Sequence, residues 1–349
     1  MNHADRPSGL VTRRSFLGTA LGAGVAGSMG LLATGCSSAS GSAGGGGDPT
    51  IKIINTSATG ALAINNLLSS GGYFKKAGVN ATITNVSAGN QVLAAVASGS
   101  ADITILSGLI SVFPAIDKGL KLKVLGGTEV VSTSAIFTSD PAVKSVSDLA
   151  GKTIGVGAVG SELYDVFAAL LAKYHIPPGK VTFRNVGSSA DSFKAVLAKQ
   201  IDVGYGQVGD QVTAQKHGAR MIATVSKELP LWINQGAVAS ASAVASKRDA
   251  LVKVLASFAK LFQYLATAES KADYVKAYTA TGASADEATL EWKFLNSNAA
   301  YSPTLALPED KMNFIQQQNV KNGTQSKVLA FGSYTDFGLR NDALASLKK

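Results

Sequence analysis

From residue 50 onward, short apolar runs alternate with segments whose apolar residues recur every three or four positions. The runs at 51–55, 81–86, 102–106 and 122–125 have strand length. The spaced segments at 61–70, 91–97 and 109–118 each carry one apolar face, so the pattern predicts strands alternating with helices in a largely parallel sheet. Gly71-Gly72 stops the first helix. The alternation then resumes, with strands at 152–156, 181–186, 202–205 and 220–225 and helices at 161–174, 192–199 and 211–217. A phrase is even repeated. VLAAVASGSADIT (92–104) and FKAVLAKQIDVGY (193–205) each pass from an amphipathic helix through a break into a strand opened by aspartate. Beyond 240 the pattern is helical, with segments at 246–266, 271–278, 285–296, 309–321 and 336–347 that are expected to brace the first lobe.

The expected fold class is therefore α/β, with two lobes, each a mixed or parallel sheet flanked by helices, and a helical C-terminal tail. Crossings near 135–139 and 234–240 assign 50–137 plus 236–349 to lobe 1 and 138–235 to lobe 2. Such a pair can hinge around a cleft, with ligands held at the carboxyl ends of the strands.

The chain ahead of this pattern is of another kind. Thr12-Arg13-Arg14-Ser15-Phe16-Leu17-Gly18 resembles the twin-arginine export signal, with Arg13 and Arg14 as its pair. Leu32-Ala33-Thr34-Gly35-Cys36 resembles a bacterial lipoprotein processing site, which implies a signal at 1–35 and a lipid on Cys36. The intervening stretch is too rich in Gly, Ser and Thr for a good spanning helix. Residues 36–49 are nearly all Ser, Gly and Ala, the composition of a flexible tether. Lipid chains would hold the protein at the membrane with ~0.8 kcal/mol per buried methylene.

The 349 residues include 32 basic and 23 acidic side chains. Removing 1–35 takes three arginines and one aspartate, leaving 29 against 22. That excess is spread along the chain, which argues against a nucleic-acid partner. Cys36 is the only cysteine, so neither a disulfide nor a cysteine metal site can form within the chain. His175 and His217 sit at helix ends, where imidazole stabilises the terminus, and neither has a metal-ligand neighbour. No nucleophile elbow, phosphate loop or zinc-protease motif occurs. Gly155-x-Gly157-x-x-Gly160 has the spacing of a dinucleotide fingerprint. The following strand nevertheless ends Arg184-Asn185-Val186-Gly187, without the carboxylate that a ribose requires. An exported NAD(P) or flavin oxidoreductase is therefore the weaker alternative. The expectation is a protein with no catalytic residue, cofactor or metal.

Three phrases point to a family. SVSDLAGKTIGVG (145–157) resembles the segment that opens the second lobe of many bacterial solute-binding proteins. GGYFKKAGVNATI (71–83) resembles their turn after the first helix, and VLAAVASGSADIT resembles a phrase found in both lobes. Together they resemble the substrate-binding components of ABC importers for sulfonates, taurine and nitrate, a group that includes thiamine-precursor binders. The resemblance implies a type II periplasmic-binding-protein fold and a monomeric, exported, membrane-anchored lipoprotein. Such a protein closes on a small organic solute and passes it to ABC permease subunits. A thiamine-pyrimidine or an aromatic acid is an alternative ligand within the same fold.

The loops after the strands then supply the candidate ligand contacts. These are Ser57, Thr59 and Ser107 in the first lobe, Thr133 at the first crossing, and Ser161, Glu162, Tyr205 and Gln207 in the second. Trp232, before the return crossing, would either stack on a ligand or pack in a lobe. Each hydroxyl could equally cap its own helix. These loops contain no Lys or Arg, and Glu162 at a helix start would repel a sulfonate. The ligand is expected to be neutral, weakly anionic, or to carry an amine that Glu162 or Asp210 accepts. Taurine or a heterocycle suits this better than nitrate.

Overall fold

The structure, a computed structural model, describes residues 50–348. Arg13, Arg14, Cys36, the signal at 1–35 and the tether at 36–49 lie outside the described residues. Two five-stranded mixed sheets carry the fold. The first is built from β1 (Ile51–Thr56), β2 (Ala81–Val86), β3 (Ile103–Gly108), β4 (Leu122–Gly127) and β10 (Gln235–Ser240), in the order β2-β1-β3-β10-β4. The second comprises β5 (Ser134–Thr138), β6 (Thr153–Val156), β7 (Thr182–Asn185), β8 (Val203–Gln207) and β9 (Arg220–Thr224), in the order β7-β6-β8-β5-β9.

The two sheets share one plan. In each, the first strand pairs in parallel with two others, and one antiparallel strand is inserted between the third and fourth. That antiparallel strand comes from a crossing. SAIFT and QGAVAS, expected as connections, are buried strands, with β5 in the second sheet and β10 in the first. They escape a search for strand–helix alternation because a crossing strand need not be followed by the helix that such a search expects. The first passage between sheets thus runs through 128–133 and the return through 225–234.

The repeated aspartate has a structural reason. Asp102 accepts the Lys52 N–H at 2.8 Å through its carboxylate, and its own N–H donates to the Lys52 carbonyl at 2.8 Å. Asp202 does the same at Thr153, at 2.7 and 3.0 Å. Each carboxylate therefore ties the third strand of its sheet to the first, with the help of Lys247 at 2.9 Å in the case of Asp102. Asn55, fully buried near the end of β1, does complementary work at the carboxyl end. Its Oδ1 accepts from the backbone of Ile105 and Leu106, both at 3.0 Å, and its Nδ2 donates to Asn65. Replacing it would strand two buried N–H groups. Asn55→Ala is expected to lower the unfolding free energy by ~2–4 kcal/mol in a urea titration; an unchanged midpoint would contradict this role.

The tail does not brace the first lobe alone. Arg248–Leu265 buries Leu251, Val254, Phe258 and Phe262 in the core under the first sheet. Ala285–Ser297 packs against both lobes: Ala288 and Leu295 join the core under the first sheet, while in the second lobe Glu291 accepts the Gly209 N–H at 2.7 Å and Glu287 accepts from Thr213 at 2.5 Å. Glu309–Lys321 joins the two lobes. Asn319 donates to the Ile110 carbonyl of the first, and Asn322, just past the helix, donates to Asp165 of the second, both at 2.7 Å. Helical periodicity shows that a face is apolar but not which lobe covers it, so this division is invisible in the pattern. One apolar cluster accordingly runs through both lobes and the tail, from Val124 through Ile136 and Phe167 to Ile315. Among the described residues, no single helix is long and apolar enough to cross a membrane.

Candidate functional site

Two helix starts carry candidate hydroxyls. Ser57 and Thr59 precede or open helix Thr59–Ser70, whose N-cap position is Ala58 with no side-chain cap. Neither hydroxyl therefore serves the capping role that its sequence position suggests. Ser161 does: its Oγ accepts the Tyr164 N–H at 3.4 Å at the start of helix Glu162–Lys173. Ser107 is buried in β3, paired with Gly236.

Glu162 reaches across the gap. Its Oε1 accepts the Tyr205 hydroxyl at 2.7 Å. Its Oε2 lies 3.6 Å from where a Cβ on Gly108 would stand, so the second lobe's carboxylate meets the first lobe at a residue with no side chain. The Asn234 carbonyl is 4.0 Å from the same point. Asn234 Nδ2 in turn donates to Glu129 Oε1 at 2.9 Å, and Thr133 N–H donates to the same oxygen at 2.9 Å. The Thr133 hydroxyl lies 2.8 Å from Gln207 Oε1 and 3.2 Å from Glu129 Oε1, so its proton can serve one at a time. Gln207 N–H donates to Asp210 at 2.7 Å. The structure thus brings Thr133, Glu162, Tyr205 and Gln207 together at the passage between lobes.

Trp232 stands apart from this network. It is 1% exposed and packs edge-on against Phe314 of the tail, with centroids 6.4 Å apart, so it fills the core. Sequence reasoning missed Glu129, Glu291, Asn234 and Tyr301. Glu129 follows a glycine-rich strand end in GGTEVV, where a lone acid reads as a solvated loop residue. Glu291 stands in the polar pattern of a tail helix, yet both carboxylates are at most 3% exposed. For Glu129 the one available signal was a single acid within an otherwise apolar and hydroxyl-rich stretch.

Burial dominates the electrostatics. It pushes Glu162 up to about 7 against the opposing Tyr205 hydrogen bond, with Glu129 and Asp165 adding repulsion. The same cause raises Glu291 to about 8, opposed by the Gly209 N–H and reinforced by Asp210. Glu129 also shifts upward through burial, while its bonds from Asn234 and Thr133 pull it down. Asp210 rises to about 6, again chiefly through burial. Among the described residues the four ion pairs are Lys152–Asp140, Lys173–Glu228, Lys247–Asp102 and Arg248–Asp342, and none includes Glu129, Glu162 or Glu291. Among the described residues, Glu129 and Glu291 are buried and Glu162 and Asp210 half-buried, with no ion-pair partner for any of them.

The glycine fingerprint is accounted for by packing. A Cβ on Gly155 would stand 2.3 Å from Ile201 and 3.0 Å from the Ser192 hydroxyl, and Gly160 has φ +81° in the tight turn before Ser161. Arg184, in the next strand, donates to the Gln200 carbonyl.

These features meet in a known family. Residues 68–272 match the family model described as NMT1/THI5 like. The chain belongs to the NMT1/THI5-like family. No curated protein matches it in sequence. Among solved structures, this NMT1/THI5-like chain is similar to a periplasmic sulfonate-binding protein SsuA of Methylobacillus flagellatus, at 15% identity and TM-score 0.69, covering 86% of this chain and 96% of that one. It is also similar to the periplasmic nitrate-binding protein NrtA of Synechocystis, at 13% identity and TM-score 0.68, covering 86% and 89%. The desulfurization enzyme DSZB shares the architecture as well, at 15% identity and TM-score 0.60, covering 85% and 99%. At such identities the likeness establishes the fold, and the periplasmic-binding-protein class expected from SVSDLAGKTIGVG holds.

Proposed function

We propose that the chain is the extracytoplasmic solute-binding component of an ABC importer, which captures a small organic solute between its lobes without chemically altering it. The observation that carries this reading is the approach of Glu162 in one lobe to Gly108 in the other, with Tyr205, Thr133, Gln207 and Glu129 around it. Side chains from the second lobe and the first passage converge there on the backbone of the first lobe, as a closing cleft requires. The family and the sulfonate- and nitrate-binding proteins of the same fold support it. The twin-arginine-like Arg13-Arg14 and the processing-site cysteine Cys36 support export and lipid anchoring beside a permease, with 36–49 as tether. Hinge movement would fall in the passages at 128–133 and 225–234.

The reading is tested by melting the purified protein with a panel of sulfonates, nitrate, amines and nitrogen heterocycles, and analysing each mixture by mass spectrometry. A stabilising compound recovered intact is the expected result. Recovery of a product instead would make the chain an enzyme, as its structural neighbour DSZB is named.

A further inference from the structure

We infer that the cleft takes a small organic cation, a solute presenting an ammonium, amidinium or guanidinium group and bearing no anionic group. This rests on the reading of the inter-lobe cleft as the solute site and names its substrate class.

Glu129 accepts from Asn234 and Thr133 through Oε1, Glu162 from Tyr205 through Oε1, and Glu291 from Gly209 through Oε2. Every one of those donors is neutral, and these bonds engage one oxygen of each carboxylate. A separate observation points the same way. Asn234, 6% exposed and bonded through Nδ2 to Glu129, has an Oδ1 with no partner, and the adjacent Gln235 Oε1 is likewise orphaned. A buried acceptor without a donor is costly, and a buried carboxylate without a counter-charge more so. A positively charged ligand bearing N–H groups would supply the counter-charge and the donors that these acceptors lack.

The protein's own cations do not fill this role. Lys311, on the tail helix beside the first passage, donates its ammonium to the Val130 carbonyl at 2.7 Å, and the four ion pairs among the described residues lie elsewhere. The charged and titratable neighbours are of one sign or neutral. Glu162 faces Tyr205, Glu129 and Asp165; Glu129 faces Glu291 and Tyr301; Glu291 faces Asp210, Tyr274 and Tyr278. A sulfonate or nitrate would meet carboxylates where it needs donors.

The test is calorimetric titration at pH 8 with agmatine, putrescine and acetamidine, against methanesulfonate, nitrate and neutral 4-aminopyrimidine. At least one of the cations is expected to bind 100-fold or more tightly than any of the anions or the neutral heterocycle. Glu162→Gln and Glu129→Gln should each weaken it tenfold or more, while circular dichroism melts show that both variants fold. Its affinity should drop roughly tenfold between pH 8 and pH 6, since Glu162, at about 7, must ionise. An anion or 4-aminopyrimidine as the tightest ligand, or undiminished affinity in both variants, would overturn the inference and leave the solute-binding reading standing. Binding of none of the compounds would overturn both.

Discussion

Acidifying the ligand-free protein from pH 8 to pH 5.5 is expected to raise its melting temperature by roughly 5 °C. Glu291, Glu162, Asp210 and Asp165 titrate at about 8, 7, 6 and 6, all above their ordinary carboxyl range, and burial is the first cause in each case. An acid whose native value is raised binds its proton more tightly folded than unfolded. The native state therefore holds extra protons between the unfolded-state values of about 4 and the native values. Stability is fully present below that window and is lost as pH rises through 6, 7 and 8. Each tenfold gain in proton affinity on folding corresponds to about 1.4 kcal/mol. Glu162 keeps some solvent contact. The groups also repel one another, so a net of ~2–3 kcal/mol is the reasonable scale, at about 2 °C for each in a chain of this size. Carboxylates held below their usual range, such as Asp140 by Lys152 and Asp148 by backbone N–H groups, work in the opposite sense. Their contribution is lost as pH falls toward about 4, which sets a maximum at about pH 5. Melts across pH 4–9 check the curve, and Glu291→Gln should flatten its alkaline side. A melting temperature that climbs toward pH 8 would contradict the buried-carboxylate account.

Replacing Trp232 is expected to be among the most damaging single substitutions. The indole is buried at the end of the return passage, against Phe314 of helix Glu309–Lys321 and within the cluster shared by both lobes. Trp232→Ala would remove the largest fully buried side chain among the described residues and leave a cavity that the surrounding strands and helix cannot collapse into. A loss of ~3–5 kcal/mol is expected, read as a shifted urea midpoint with little change in slope. Trp292, partly exposed and bonded through Nε1 to Ser270 at 3.0 Å, supplies a contrast. Its fluorescence should remain in the variant, while the blue-edge emission of Trp232 disappears. A loss below about 1 kcal/mol would mean that this tryptophan is not packed as described.

Much of the architecture was legible because it is written in periodicity. The strands and helices read in the two repeating halves lie within a few residues of observed elements at 51–106 and 152–205. The aspartate opening the third strand of each half is a tie to the first strand. Less legible was anything that depends on what a segment packs against. SAIFT and QGAVAS could be seen as apolar but not as strands of opposite sheets. Glu291 reads as a helix-surface acid until Gly209 is seen to donate to it. Of the candidate site, the sequence reading named Gln207 at the end of β8, Tyr205 within it, Thr133 just before β5 and Glu162 at a helix start, near where an α/β sheet presents its loops. Glu129 and Asn234 sit in the passages between lobes, which carry no periodic signal. Trp232 admits two readings that only burial separates. The glycine triplet, whose cofactor spacing lacks a ribose carboxylate, has a packing cause at Gly155, where the Ile201 and Ser192 side chains press close.

The central claim, capture by closure, is tested most directly by the distance between the lobes when solute binds. Asn90 and Ala190 are at least partly exposed and occupy matching places after β2 and β7. Asn90→Cys and Ala190→Cys in a Cys36→Ala chain would accept paired spin labels, and double electron–electron resonance would read their separation with and without the tightest-binding compound of the calorimetric panel. At saturating compound the distribution should move to one shorter, narrower distance. A distribution that stays unchanged while calorimetry registers full binding would contradict capture by closure of the two lobes.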